Sequence, residues 1–356
     1  MKHLHIVNTD KFIEPFIRFI NANFDIHEHQ FLSITSAAKK NYIKECYKNV
    51  SMYNKVYRNW NILRDMYDFE HIYIHSLFDM RVVVILFFQP WLLKKCYWIV
   101  WGGDLYAYRE PKKTFKSKVK EFIKSKVIKN VGHVCTLVKS DYDLAKKIYN
   151  VKGKYLPAIY ISEEKNNAVL RVLETTTVKN SNTIKIIVGN SATKSNYHIE
   201  VFKLLEKFST QNIEIYCPLS YGDASYAEEV ITYGTTIFNE KFKPIVEFMN
   251  IDEYIEFLGT MDIGIFNNDR QQGLGNIYSL LHLGKKVYLR EGTTMWNEIH
   301  NEKSLVVHTL DSINLIDFEE FQEFSNEYRL KNKIIMDERY DSKTTVQIWR
   351  NIFEAI

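Results

Sequence analysis

No uninterrupted apolar run in this 356-residue chain reaches the roughly 18 residues that a membrane span needs. The longest candidate, 82–101, is interrupted by Gln89, Pro90, Lys94 and Lys95 and reads as a buried helix, a break and a buried strand. Cysteine is scarce: Cys46, Cys96, Cys135 and Cys217 stand apart with no CxxC pair, and three of them lie in apolar surroundings, so buried free thiols in a reducing cytoplasm are expected. There is no zinc-ligand spacing, no HExxH, no Walker-type lysine loop, no tandem repeat and no low-complexity tract. Gly189-Asn190-Ser191 does not fit GxGxxG, which argues against an ordinary dinucleotide dehydrogenase. No signal peptide is expected, because Leu4-His5-Ile6-Val7 already reads as a strand. What is present is a hydrophobic content of 46% with 25% charged residues, the composition of a soluble globular protein. Aromatic residues are abundant, with 23 Tyr and 22 Phe, favouring extensive strands and broad contact surfaces.

Periodicity divides the chain into two alternations of strand and helix. In the first, strands are expected at 4–7, 28–35, 71–75, 96–101 and 133–138, with helical spacing at Phe12, Phe16, Phe19 and Ile20. A Thr- and Asn-rich stretch follows, and 161–183 reads as a linker. The second alternation opens at Ile184-Lys185-Ile186-Ile187-Val188 and continues through strands at 213–217, 262–266 and 287–289. Such alternation means parallel sheets with helices on both faces, hence an α/β protein of two Rossmann-like domains facing each other across a cleft. The expected boundaries are 1–160, 184–330 and a C-terminal helix, 331–356, packing back on the first domain.

Arg270-Gln271-Gln272-Gly273-Leu274-Gly275-Asn276 lies where a strand ends and a helix begins. Helix-start N–H groups are unpaired and sit at the positive end of the helix dipole, and glycine lets a phosphate or sugar approach the backbone. The stretch is either a pocket for an anionic, nucleotide-linked ligand or a tight turn that merely needs glycine. His71-Ile72-Tyr73-Ile74-His75 delivers His75 to a strand's carboxyl end, where ligands of open α/β sheets bind. His75 is there either a base, acid or sugar-hydroxyl partner, or a histidine packed at a loop edge. Trp98-Ile99-Val100-Trp101-Gly102-Gly103-Asp104 ends a strand in a sharp turn presenting Asp104, either to deprotonate a sugar hydroxyl or to cap the turn.

Charge is uneven. Arg109, Lys112, Lys113, Lys116, Lys118, Lys120, Lys124, Lys126 and Lys129 face only Glu110 and Glu121. Phe115, Val119, Phe122, Ile123, Val127 and Ile128 form one helical stripe among these lysines, as in a helix lying on an anionic membrane. An ordinary helix with its stripe in the core has the same pattern. Nucleic acid is disfavoured, since no binding module accompanies the lysines.

Three segments taken together resemble the TDP-N-acetylfucosamine:lipid II N-acetylfucosaminyltransferase family, the 4-alpha-L-fucosyltransferases of glycosyltransferase family 56. They are Trp98–Tyr106 with its Trp-Gly-Gly-Asp, Ile187–Ser191 with Ser195-Asn196-Tyr197-His198-Ile199, and Arg270–Gly275. His75 with Phe78 also matches a His-x-x-Phe pattern. The resemblance implies a GT-B glycosyltransferase with a C-terminal domain for a nucleotide-sugar donor. It implies a membrane-facing N-terminal domain for an undecaprenyl-diphosphate-linked glycan acceptor, attached peripherally to the cytoplasmic face of the bacterial inner membrane. Gly189, Asn190, Ser191, Asn196, Arg270, Gln271, Gln272, Gly273, Gly275 and Asn276 would hold the donor, with backbone N–H groups and Arg270 in place of a metal and no cofactor. Asp104 would be the base, with His75 second. Lys112, Phe115, Lys116, Lys120, Phe122 and Lys124 would meet the anionic membrane surface. Gly103 stands where the family commonly has alanine, and inversion against retention is left open. The rivals are a GT-B transferase using a UDP- or GDP-sugar and a nucleotide-sugar-binding protein without catalysis.

Overall fold

The structure, a computed structural model, describes residues 2–10, 12–34, 43–52, 58–111, 113–160, 162–175 and 182–355. The chain runs β1 (His3–Val7), α1 (Ile13–Asn23), β2 (His29–Ser33), β3 (Val50–Met52), α2 (Arg58–Asp68), β4 (His71–His75), α3 (Met80–Phe88), β5 (Cys96–Ile99), α4 (Phe115–Asn130), β6 (His133–Thr136), α5 (Lys139–Tyr149) and β7 (Lys154–Pro157). It continues through α6 (Glu163–Thr175), β8 (Ile184–Val188), α7 (His198–Leu205), β9 (Ile213–Pro218), α8 (Ala224–Phe238), β10 (Phe242–Ile245), α9 (Ile251–Gly259), β11 (Ile263–Phe266), α10 (Leu274–His282) and β12 (Lys286–Leu289). The last elements are α11 (Thr294–Trp296), β13 (His308–Thr309), α12 (Phe318–Gln322), α13 (Asn326–Arg339) and α14 (Ser342–Phe353). Contacts divide these into two compact units, Met1–Ser162 with Ser342–Ile356, and Glu163–Asp341.

The first unit is built on a seven-stranded sheet in the order β3-β2-β1-β4-β5-β6-β7, parallel throughout. Side chains alternate between its faces with period two. Leu4, Ile6, Ile72, Ile74 and Trp98 point into a core with α2 to α5. Val7, Phe31, Tyr73, Tyr97 and Ile99 point the other way, towards Phe16 of α1 and Trp349 and Ile352 of α14. His3, His5, His29 and His75 are buried on these same strands, an unusual lining for a sheet face.

The second unit carries a six-stranded parallel sheet in the order β10-β9-β8-β11-β12-β13. Its strands are nearly continuous apolar runs because both faces are covered. β8 and β11 are neighbours, so their exit loops emerge side by side at the carboxyl edge. Among the described residues no helix is long and apolar enough to cross a membrane.

Two expectations are corrected. The stretch expected as linker, 161–183, contains the three-turn helix α6, which buries Ala168 and Val169 and belongs to the second unit; 161 and 176–181 lie outside the described residues. The returning C-terminal piece is shorter than 331–356. α13 runs to Arg339 within the second unit, where Asn332 and Met336 are buried, and only Ser342–Ile356 joins the first.

Candidate active site

In the second unit the loops after β8 and β11 form one polar lattice. Gly189 leaves β8 at φ +69°, and a Cβ there would lie 2.5 Å from Nε2 of His198. Gly273 caps α10 at φ +70°, where a Cβ would meet Oδ1 of Asn190 at 3.0 Å. The left-handed backbone favours glycine at both places, and at Gly189 the space demands it as well. Asn190 donates from Nδ2 to the Tyr221 hydroxyl at 3.1 Å. Asn276, in the first turn of α10, donates to the Tyr254 hydroxyl at 2.7 Å. Gly275 is exposed, and its carbonyl oxygen accepts from Nζ of Lys165 of α6.

Some residues expected to touch the donor brace the two loops. Asn196 is fully buried; its Oδ1 accepts from the Asn190 backbone N–H and from Nδ2 of Asn268, both at 3.1 Å, and its Nδ2 donates to Oγ1 of Thr193 at 2.7 Å. Gln272 donates from Nε2 to Ser191 Oγ at 3.0 Å and to Thr193 Oγ1 at 2.7 Å, while its Oε1 accepts from Ser195 Oγ at 2.6 Å. Fully buried Ser191 belongs to the same lattice. With their hydrogen-bonding capacity occupied by neighbours, these three side chains hold the two loops together. Arg270 donates from Nε to Ser195 Oγ at 3.3 Å.

Other polar atoms at this edge are sealed from water with no partner: Oδ1 of Asn190, Oδ1 of Asn268, Oε1 of Gln271, Nε2 of His198 and Nη1 of Arg290. Each such atom costs free energy until something bonds to it. Asn268, His198 and Arg290 were not singled out from sequence as ligand contacts. The available signal was their place at or just beyond a strand's carboxyl end. His198 opens α7 beneath the glycine loop, and burial pushes its imidazole down to about 4.

In the first unit both groups expected to be catalytic are enclosed by their neighbours. Asp104 is fully buried, and its carboxylate accepts from the Trp98 indole at 2.7 Å and from the backbone N–H groups of Leu77 and Trp101, each at 3.0 Å. Its own carbonyl oxygen accepts from Nζ of Lys124 at 2.7 Å. Asp104 thus pins the exits of β4 and β5 to each other and to α4, with no face left for a substrate hydroxyl.

His75 is equally buried, and its surroundings fix its tautomer. The Trp101 indole only donates, so its 3.0 Å bond makes the Tyr160 oxygen an acceptor and turns the Tyr160 proton towards Nδ1 of His75. Nε2 of His75 then carries hydrogen and donates to Nδ1 of His5 at 3.1 Å, and Nε2 of His5 donates to Nδ1 of His29 at 3.0 Å. Burial pushes His75 down to about 3, and burial with the neighbouring imidazoles puts His5 well below its ordinary value. A neutral imidazole with both nitrogens engaged is a poor general base. The half-buried Tyr160, at the end of this chain of bonds, is the member nearest to solvent.

The basic helix α4 divides its stripe. Thr114 and Ser117 close a capping box at its start. Val127 and Ile128 enter the core and Ile123 is half-buried, whereas Phe115 is 83% and Phe122 56% exposed, with Val119 exposed between them. Lys116 and Lys120 are exposed, but Lys124 is buried against Asp104 and cannot meet a membrane; Lys112 lies outside the described residues. Among the described residues no three His, Cys, Asp or Glu side chains gather as a metal site.

Solved structures of low identity share the fold. A glycosyltransferase from Rickettsia africae ESF-5 is 11% identical over 99% of this chain and 97% of its own, with a TM-score of 0.67. Alr3699/HepE of Anabaena, solved in complex with UDP, is 10% identical over 100% of both chains, with a TM-score of 0.70. WaaG, a glycosyltransferase involved in lipopolysaccharide biosynthesis, is 8% identical over 99% of this chain and 100% of its own, with a TM-score of 0.65. The fold is GT-B, with two Rossmann-like domains. The model of the 4-alpha-L-fucosyltransferases, glycosyl transferase group 56, matches residues 18–341. This chain therefore belongs to the 4-alpha-L-fucosyltransferase family and is a glycosyltransferase.

Proposed function

We propose that this glycosyltransferase moves a deoxy-amino sugar, 4-acetamido-4,6-dideoxygalactose or a related fucose-like sugar, from a dTDP-sugar to an undecaprenyl-diphosphate-linked saccharide during bacterial surface polysaccharide synthesis. The observation that carries the donor site is the lattice after β8 and β11. It combines two left-handed glycines, a helix start and sealed polar atoms without partners. The sealed set mixes acceptors (Asn190, Asn268 and Gln271) with a cationic donor (Arg290), and so suits a ligand bearing both hydroxyl or amide donors and phosphate oxygens. A nucleotide sugar has both. The start of α10 supplies the positive dipole end for its diphosphate.

The exposed half of α4 supports peripheral attachment to the cytoplasmic face of the inner membrane. Phe115, Val119 and Phe122 would enter the interface, with Lys116, Lys118 and Lys120 beside anionic headgroups. A lipid-linked acceptor would then be met where it resides.

The second reading keeps the reaction and changes the donor to a UDP-sugar, in line with the UDP bound by the Anabaena structure. A thermal-shift panel of dTDP, UDP, GDP and ADP separates them, since a ligand of the folded state raises its stability by mass action. Selective stabilisation by dTDP, lost on Gly273→Val, is expected. Selective stabilisation by UDP or GDP would overturn the thymidine donor while keeping the transferase. No response to any of the four at millimolar concentration would count against the donor site itself.

A further inference from the structure

We infer that Arg290 is a direct ligand of the donor's diphosphate, paired with Arg270 across the carboxyl ends of β11 and β12. The inference rests on the donor-site reading above and deepens it. Arg290 is the first residue beyond β12, and its backbone N–H reaches the carbonyl oxygen of Phe266, the last residue of β11, at 3.3 Å. It therefore leaves the sheet at the level where the turn carrying Arg270 and Gly273 begins.

Its guanidinium is held in a particular place. The guanidinium carbon stands 4.9 Å above the centre of the Tyr197 ring. Tyr197 is itself constrained, since it caps α7 in the left-handed region at φ 49° and its hydroxyl donates to Oδ2 of Asp269 at 3.1 Å. A planar cation over an aromatic face keeps its edge free for a second partner. That edge has no partner in the protein at one nitrogen: Nη1 of Arg290 is sealed from water and makes no hydrogen bond. Of the sealed atoms at this edge, Asn190, Asn268 and Gln271 contribute oxygens, so a ligand placing hydroxyl or amide donors on those oxygens leaves an anionic oxygen for Arg290. A diphosphate carries more negative charge than one guanidinium neutralises. Arg270, tied to Ser195 on the other side of the same loop, is the second cation.

Tyr197 is a positioning residue here, acting through Arg290. In the sequence Arg290 follows the strand in an ordinary Arg-Glu-Gly turn, and nothing local distinguishes it from a solvent-exposed charge.

The test measures affinity by calorimetry for the nucleoside diphosphate that stabilises the wild-type protein best in the panel, for the corresponding nucleoside, and for inorganic pyrophosphate. Arg290→Gln is expected to weaken the nucleoside diphosphate and pyrophosphate at least tenfold and to leave the nucleoside within about twofold. Arg290→Lys keeps the charge without the fork and should fall between. Tyr197→Leu, which removes the platform and leaves the guanidinium, should weaken the diphosphate less than Arg290→Gln does. Wild-type affinity for the diphosphate in a folded Arg290→Gln protein would overturn the inference while leaving the donor site standing. A loss of nucleoside affinity equal to the loss of diphosphate affinity would also overturn it, as a general disturbance of the pocket. If the wild-type protein binds no nucleoside diphosphate, the donor-site reading fails and this inference fails with it. Should Arg290→Gln not fold, the comparison of Arg290→Lys with wild type decides: equal affinity for pyrophosphate overturns the assignment.

Discussion

Asp104 is a residue whose type and position allow two roles. An aspartate after a glycine pair at a strand's end reads equally as a base or as a cap. Three donors and full burial give it a structural part. Removing the carboxylate leaves an indole and two backbone N–H groups unpaired in the core, a cost on the order of 3–5 kcal/mol. Asp104→Ala is therefore expected to lower the urea midpoint of the first unit's unfolding strongly. In a variant still folded at low temperature, binding of the nucleoside diphosphate should be unchanged. Wild-type stability together with abolished transfer would instead restore Asp104 as a catalytic residue. The reason for glycine at position 273 was partly legible in the sequence, as a tight turn or a close approach where a strand gives way to a helix, whereas Gly189 was marked only by the family resemblance. What they approach was not legible: His198 beneath Gly189 and Asn190 beside Gly273 come from other segments of the fold.

At the scale of elements, strong periodicity was readable and weak periodicity was not. β4 and β8 coincide with the expected strands because each is a β-rich run bounded by turn or polar residues. β10 was missed because Pro244 sits inside it. The fold tolerates that proline at the sheet's edge, where β10 pairs only with β9 and a missing N–H leaves no second ladder broken. α6 was hidden by polar composition, and its helicity is stabilised by packing on α9 rather than by a broad apolar stripe. α4 was recognised as a helix, but its stripe could not reveal which half was buried. Its outer half makes a prediction. Replacing Phe115, Val119 and Phe122 together by Ser should abolish co-sedimentation with vesicles containing phosphatidylglycerol, without lowering the thermal midpoint. Retained vesicle binding in this variant would remove α4 from the docking face. Phe88 and Trp91 are also strongly exposed, on α3 and the following turn, and the Phe87 ring lies 6.4 Å from that of Phe122. Those neighbours would be the next candidates.

For the whole molecule the most consequential feature is the histidine-lined sheet face beneath α1 and α14. Trp349 of α14 is buried and donates from its indole to the Ile159 carbonyl oxygen at 2.8 Å, and Phe353 packs on the rings of His3, His5 and His29. Burial lowers His3 to about 3, His29 to about 4 and His75 to about 3. An unfolded chain binds protons at these residues below its ordinary value of 6.5, whereas the folded protein does not until pH 3–4. Their stabilising contribution is therefore complete above pH 6.5 and is lost as pH falls towards the folded values. Urea midpoints at pH 7.5, 6 and 5 should fall in that order, and replacing His5 by Phe should flatten the decline; a profile level from 7.5 to 5 would contradict it. By itself the sequence determined the fold class, the two alternations and the glycine turns, because periodicity and backbone chirality are local properties. It also carried the family, through three motifs in register. The tertiary structure alone decided which polar residues are braces, which are sealed without partners and which half of a stripe is exposed. Burial and hydrogen-bond satisfaction are set by segments far apart in the chain, and no local pattern reports who those neighbours are.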